Sequence, residues 1–113
     1  MTVYEFGDIV LVDFPQSGSE QPKRRPALVV LDIADADVLL APITTRERTG
    51  PGDVKIQDWQ EGGLLRESWA RLAKVACLEK RNVTRRLGRL SSTDRTNLVL
   101  AWRSLFDHLP QKV

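Results

Sequence analysis

A chain of 113 residues, 42% of them apolar and 28% charged, has room for one core and too little for two, so a single domain over 1–113 is expected. No apolar run approaches the ~20 residues of a membrane span, and the opening Met1-Thr-Val-Tyr-Glu-Phe lacks the basic-then-apolar pattern of a signal peptide, which excludes a membrane partner and makes the cytoplasm the expected location. The net charge of +2 hides an asymmetry: residues 1–70 carry 7 Lys/Arg against 12 Asp/Glu, residues 71–113 carry 10 against 3, so the second half reads as a solvated face or as the footprint of a polyanion.

The first predicted element runs from Asp8 to Phe14, where Ile9-Val10-Leu11-Val12 is apolar without a break, as in a strand buried on both faces. Pro15 ends it, because proline supplies no ladder donor. A connection of about ten residues follows, Gln16 to Arg25, long for a hairpin loop and closed by a basic cluster at its root. Two short apolar runs come next, Ala27–Leu31 and Val38–Ala41, with the length and β-branched content of strands. If they pair as a hairpin through the acidic Asp32–Asp37 connection, Arg25 arrives at the same end of the sheet as Thr44 in Pro42-Ile43-Thr44-Thr45. A guanidinium beside a hydroxyl is a binding point for phosphate, since Arg offers a planar fork of donors and stays charged.

Beyond Thr45, the charged segment Arg46–Asp53 carries the loop signal Gly50-Pro51-Gly52, and Val54-Lys55-Ile56 reads as a short strand with an exposed middle residue. Gln57–Arg66, broken by Gly62-Gly63, reads as irregular. The Ala, Leu, Arg and Lys content of Ser68–Leu78 predicts helix when taken alone. Val83–Leu90 is a short strand or turn. Ser91 then has the place of an N-cap with Asp94 three residues on, and Leu98, Trp102, Leu105 and Leu109 form the apolar stripe of one closing helix that stops before Pro110. Five or so strands and one helix add up to a mainly β fold, a small SH3-like barrel with a C-terminal helix whose Trp102 and Phe106 cover it.

Cys77 is the lone cysteine and His108 the lone histidine, so neither a disulfide within the chain nor a zinc site is available, and no metal and no cofactor is expected. Cys77 is expected to be a buried small apolar residue and His108 a surface residue at the helix end. Trp59 and Trp69 are divided between stacking on unpaired bases and packing in a core or dimer contact.

Gly7-Asp8-Ile9-Val10-Leu11-Val12-Asp13-Phe14-Pro15, then Arg25-Pro26-Ala27-Leu28-Val29-Val30 and Ala41-Pro42-Ile43-Thr44-Thr45, resemble the MazF/PemK-like toxins of bacterial type II toxin–antitoxin systems. Gly63-Leu64, Ser68, Lys74 and Leu87-Gly88-Arg89-Leu90-Ser91 extend the likeness to nearly the whole chain. The resemblance implies the barrel shared by CcdB-like and MazF-like proteins, and strand where composition predicts helix over Ser68–Leu78. It implies a homodimeric, metal-independent endoribonuclease that cuts single-stranded RNA at short sequences and is neutralised by an acidic antitoxin peptide. It places the catalytic arginine on Arg25 and the catalytic threonine on Thr44. The mobile RNA-contacting loop falls on Gln16 to Arg24, with Ser17, Gly18, Ser19, Lys23 and Arg24, and Thr45, Arg46, Ser68, Arg71 and Lys74 complete the expected RNA-binding set. Ala73 and Cys77 depart from the acidic residue and the threonine that many members carry.

RNA brings its own nucleophile, the 2′-OH, so such an enzyme needs only to position an in-line attack and neutralise the charge that develops on phosphorus. Arg25 suits that task and Thr44 would hydrogen-bond the scissile phosphate, leaving a 2′,3′-cyclic phosphate and a 5′-hydroxyl. Two readings compete: a gyrase-poisoning toxin of the same fold, with Trp102 on its terminal helix, and a non-catalytic SH3-like module that binds nucleic acid or protein.

Overall fold

The computed structural model describes residues 2–14 and 23–110. Seven strands form the sheet: β1 Asp8–Phe14, β2 Lys23–Leu31, β3 Asp37–Thr44, β4 Asp53–Ile56, β5 Ser68–Arg71, β6 Ala76–Glu79 and β7 Val83–Arg89. Among the described residues there is one α-helix, α1, at Ser92–Phe106. All pairings are antiparallel, in the order β4-β5-β3-β2-β1-β7 with β6 also on β3. This mainly β architecture with one C-terminal helix is consistent with the expected SH3-like barrel, although the sheet stays open.

The apolar runs are buried on both faces because the sheet separates two cores. Ile9, Leu28, Ala41 and Ile43 join Ile56, Leu72, Leu90 and Leu98 in the larger, while Val10, Val12, Ala27, Val29, Val38 and Leu40 form the smaller on the other face. Alternation along each strand thus sends neighbours to different cores. The predicted β2–β3 hairpin is present, but both strands run further than their apolar runs. Lys23, Arg24 and Arg25 are therefore strand residues rather than the root of a loop, because β1 continues alongside them as far as Phe14↔Lys23.

Ser68–Leu78 is not the helix its composition predicts but, apart from a short turn, the strand that the resemblance implies. Strand β5 and strand β6 lie one after the other on the same edge of β3, at Ile43↔Ala70 and Thr44↔Trp69 and then at Val38↔Leu78 to Leu40↔Ala76. A 3-10 turn, Leu72–Lys74, bulges out between them and buries Leu72. One pass along an edge, interrupted by a turn, spoils the alternation that would have marked it as strand. Cys77 on β6 is exposed, contrary to its expected burial, since its side of that strand faces no core. His108 is exposed as expected.

Helix α1 begins as its sequence demands: the Ser91 hydroxyl accepts from Asp94 N–H at 3.1 Å. The Asp94 carboxylate reaches back only to the cap side chain, its Oδ2 accepting the Ser91 hydroxyl at 3.3 Å, and not to the Ser91 backbone N–H. It accepts instead the N–H groups of Gln57 and Asp58, each at 2.8 Å, and so ties the chain after β4 to the helix start. Of the apolar stripe, Leu98 is fully buried, and Trp102 and Leu105 pack against the larger core. Phe106 is 56% exposed and meets Trp102 edge-on, so it is not part of the cover, and Leu109 lies past the helix end.

Candidate active site

Pairing Ala27↔Pro42 in the β2–β3 ladder, continued two residues outward, sets Arg25 opposite Thr44. Both line one open pocket of about 520 Å³, together with Lys23, Pro26, Ile43, Thr45, Arg46 and Arg48. Strand alternation makes this possible. Lys23 and Arg25 emerge on one face of β2, while Arg24 emerges on the other and donates to Asp13 at 2.9 Å. That ionic hydrogen bond holds the Arg24 guanidinium above its ordinary pKa.

Electrostatics define the pocket. Among the described residues, none of Lys23, Arg25, Arg46 and Arg48 is paired with a carboxylate, and no acidic residue lines the space. Unpaired cations gathered around a hydroxyl are built to receive an oxyanion. The Thr44 side chain is positioned by its own loop, its Oγ1 accepting the Arg46 N–H at 3.1 Å. That turn leaves the hydroxyl proton available to a ligand and fixes where Arg46 leaves the strand. Arg48 was missed by sequence reading, since Arg46-Glu47-Arg48 after the hydroxyl pair has the pattern of any solvated loop.

The other expected site residues are spread around this centre. Thr45 lies on the border with a second, mostly apolar pocket of about 510 Å³, walled by Leu11, Leu64 and Leu87. Ser68 also lines that second pocket, with its hydroxyl donating to Arg66 O at 2.8 Å. Arg71 is held by Asp53 at 3.2 Å, and Lys74 projects from the exposed 3-10 turn; neither lines the cationic pocket. Ser17, Gly18 and Ser19 lie outside the described residues.

Gly63 shapes the wall of the apolar pocket. Its φ of +84° is a left-handed conformation, and a side chain there would strike the Leu87 backbone carbonyl. The close approach seats the Gln57–Arg66 segment on β7 and turns Leu64 into the apolar wall.

Residues 5–106 match the family described as PemK-like, MazF-like toxin of type II toxin–antitoxin systems. Among solved structures, the chain is similar to the Mycobacterium tuberculosis toxin MazF-mt6, with a TM-score of 0.73 and 22% identity over 88% of this chain and 96% of that one. It is similar as well to MazF from Deinococcus radiodurans, with a TM-score of 0.71 and 24% identity over 95% and 99% of the two chains. A third likeness is to an endoribonuclease in complex with its cognate antitoxin from a mycobacterial species, with a TM-score of 0.72 and 18% identity over 93% and 96%. No curated protein sequence matches. At these identities the structural likenesses establish a shared fold.

Proposed function

The chain belongs to the family of PemK-like, MazF-like toxins of type II toxin–antitoxin systems, and from that premise we propose that it is a metal-independent endoribonuclease acting on single-stranded RNA. The observation that carries the reading is the shared pocket of Arg25 and Thr44, ringed by Lys23, Arg46 and Arg48. In it, Thr44 donates to a non-bridging oxygen of the scissile phosphate. Arg25 presents its fork to the same group and stabilises the extra negative charge as the ribose 2′-OH closes on phosphorus. The P–O5′ bond breaks, leaving a 2′,3′-cyclic phosphate on one product and a 5′-hydroxyl on the other. The 2′-OH proton goes to solvent as the P–O2′ bond forms, and the departing 5′-oxygen takes a proton from Arg25, which regains one from water.

A pocket lined by cations repels a divalent metal, which supports charge neutralisation by guanidinium groups instead. Solved relatives include an endoribonuclease bound to its cognate antitoxin. By the same reasoning, the partner of this chain is an acidic antitoxin segment that competes for the cationic pocket, and the active form is a homodimer.

The test is cleavage of a long single-stranded RNA with EDTA present. Wild type is expected to cut it, leaving ends that resist ligation until the cyclic phosphate is removed. Arg25→Ala and Thr44→Ala are each expected to lose at least about 10²-fold in rate, as when one oxyanion donor is removed, with unchanged circular dichroism. Full activity in the folded double variant would reject the site. Salt-sensitive RNA binding without scission would leave a binding module.

A further inference from the structure

Of the three tryptophans, Trp59 and Trp102 pack against the larger core, whereas Trp69 packs against neither core. Strand alternation explains its exclusion. Ser68 and Ala70 turn inward and are buried, so Trp69 faces the opposite side of β5, half-exposed. On that side the ladders run Thr44↔Trp69↔Lys55 across three strands, with Arg25 continuing the row beyond Thr44. Directly opposed side chains in antiparallel strands stand about 5 Å apart at Cβ. Trp69 is therefore the cross-strand neighbour of Thr44, whose hydroxyl is proposed to hold the scissile phosphate, and stands next to the cationic pocket rather than in its lining. The Lys55 ammonium lies 5.9 Å from the Trp69 ring centroid, and its only carboxylate partner among the described residues is exposed Glu67 at 3.4 Å.

We propose that Trp69 and Lys55 form a one-nucleotide seat beside the cleavage point, the indole stacking on the base that flanks the scissile linkage and the ammonium holding that nucleotide's outer phosphate. The inference rests on the endoribonuclease reading and extends it to substrate positioning. An aromatic ring that serves no core, set in a row of cations, matches the design of single-strand readers, in which a π-face takes any base and a neighbouring charge follows the backbone. The exposed Lys55–Glu67 pair is weak enough to open for a phosphate. Trp69 is accordingly a positioning residue that acts through the nucleotide it holds.

Two readouts test the seat. Fully 2′-O-methylated RNA, which has no free nucleophile, is titrated against tryptophan emission. Wild type should be quenched, and Trp69→Phe should lose that quench while Trp59 and Trp102 still emit. In cleavage assays Trp69→Ala should raise KM about tenfold with kcat nearly unchanged, Trp69→Phe should restore most of the loss, and Lys55→Ala should lower the slope of log affinity against log salt by about 0.7. An undiminished quench in Trp69→Phe, or an unchanged KM in Trp69→Ala, overturns the proposal. So does a Trp69→Ala variant whose only change is a smaller assembled mass, which would make the indole a contact between copies. A Trp69-dependent quench in a protein that cuts no RNA would overturn the nuclease reading and leave the seat; no binding at all would overturn both.

Discussion

Asp32 shows how a single side chain can hold distant parts of this chain together. Its carboxylate is 0% exposed, accepts the Tyr4 N–H at 2.7 Å and the Ala34 N–H at 2.8 Å, and meets Lys80 Nζ at 2.9 Å. Burial by itself would raise its pKa, but the Tyr4, Lys80 and Ala34 donors outweigh it and hold the group below the ordinary 3.8. Because the folded value is the lower one, the contribution is present above pH 3.8 and is lost as pH falls through the folded pKa. Asp32→Ala should cost about 2 kcal/mol at neutral pH through unsatisfied donors, and should flatten the acid limb of a urea-midpoint curve below that pH. Asp8 has the opposite sign. Burial raises its pKa above 3.8, Arg86 only partly offsetting it, so its contribution is present below 3.8 and is lost as pH rises through the raised value. The residues of the candidate site are of a different kind: Arg25 is exposed and has no carboxylate partner among the described residues, and Thr44 is half-buried. Arg25 and Thr44 were legible in sequence because each sits at the end of an apolar run, whereas Arg48 was not, because nothing local tells a loop cation that lines a pocket from one that faces solvent.

Elements were legible where a single local rule governs them. The Ser91 cap and the stripe through Leu98 define α1 without help from the rest of the molecule. Leu98→Ala should destabilise by about 3 kcal/mol, since the side chain is fully buried against the larger core, visible as a lower urea midpoint at constant m. Strands β5 and β6, expected from the resemblance, were illegible in composition and periodicity for a physical reason: each has 4 residues, too few for alternation to outweigh the helical preference of Ala, Leu, Arg and Lys. Their conformation is imposed by the free edge of β3. The segment between β4 and β5 depends in the same way on its neighbours. Gly63→Ala should cost about 2 kcal/mol from backbone strain and, by displacing Leu64 from the apolar pocket, reduce RNA cleavage, measured as kcat/KM on the long substrate.

Across the whole molecule the charge asymmetry of the sequence is consumed in part by folding. The basic second half meets the acidic first half in Arg71–Asp53, Lys80–Asp32, Arg86–Asp8 and Arg89–Glu5. The cations left to line the site, Lys23, Arg25, Arg46 and Arg48, come from the half that is acidic in sum. Binding of 2′-O-methylated RNA should therefore weaken in Arg46→Ala and Arg48→Ala, each lowering the salt slope by about 0.7, while Arg86→Ala leaves the slope unchanged. An equal loss from Arg86→Ala would place the polyanion on the basic half after all. Sequence by itself determined the buried strands, the helix with its cap, and the meeting of Arg25 with Thr44, because periodicity, capping and hairpin register act over a few residues. Tertiary structure alone decided which cations find a carboxylate among the described residues, that Trp69 joins no core and that a 3-10 turn divides Ser68–Glu79 into two strands, because each depends on what a distant part of the chain brings alongside.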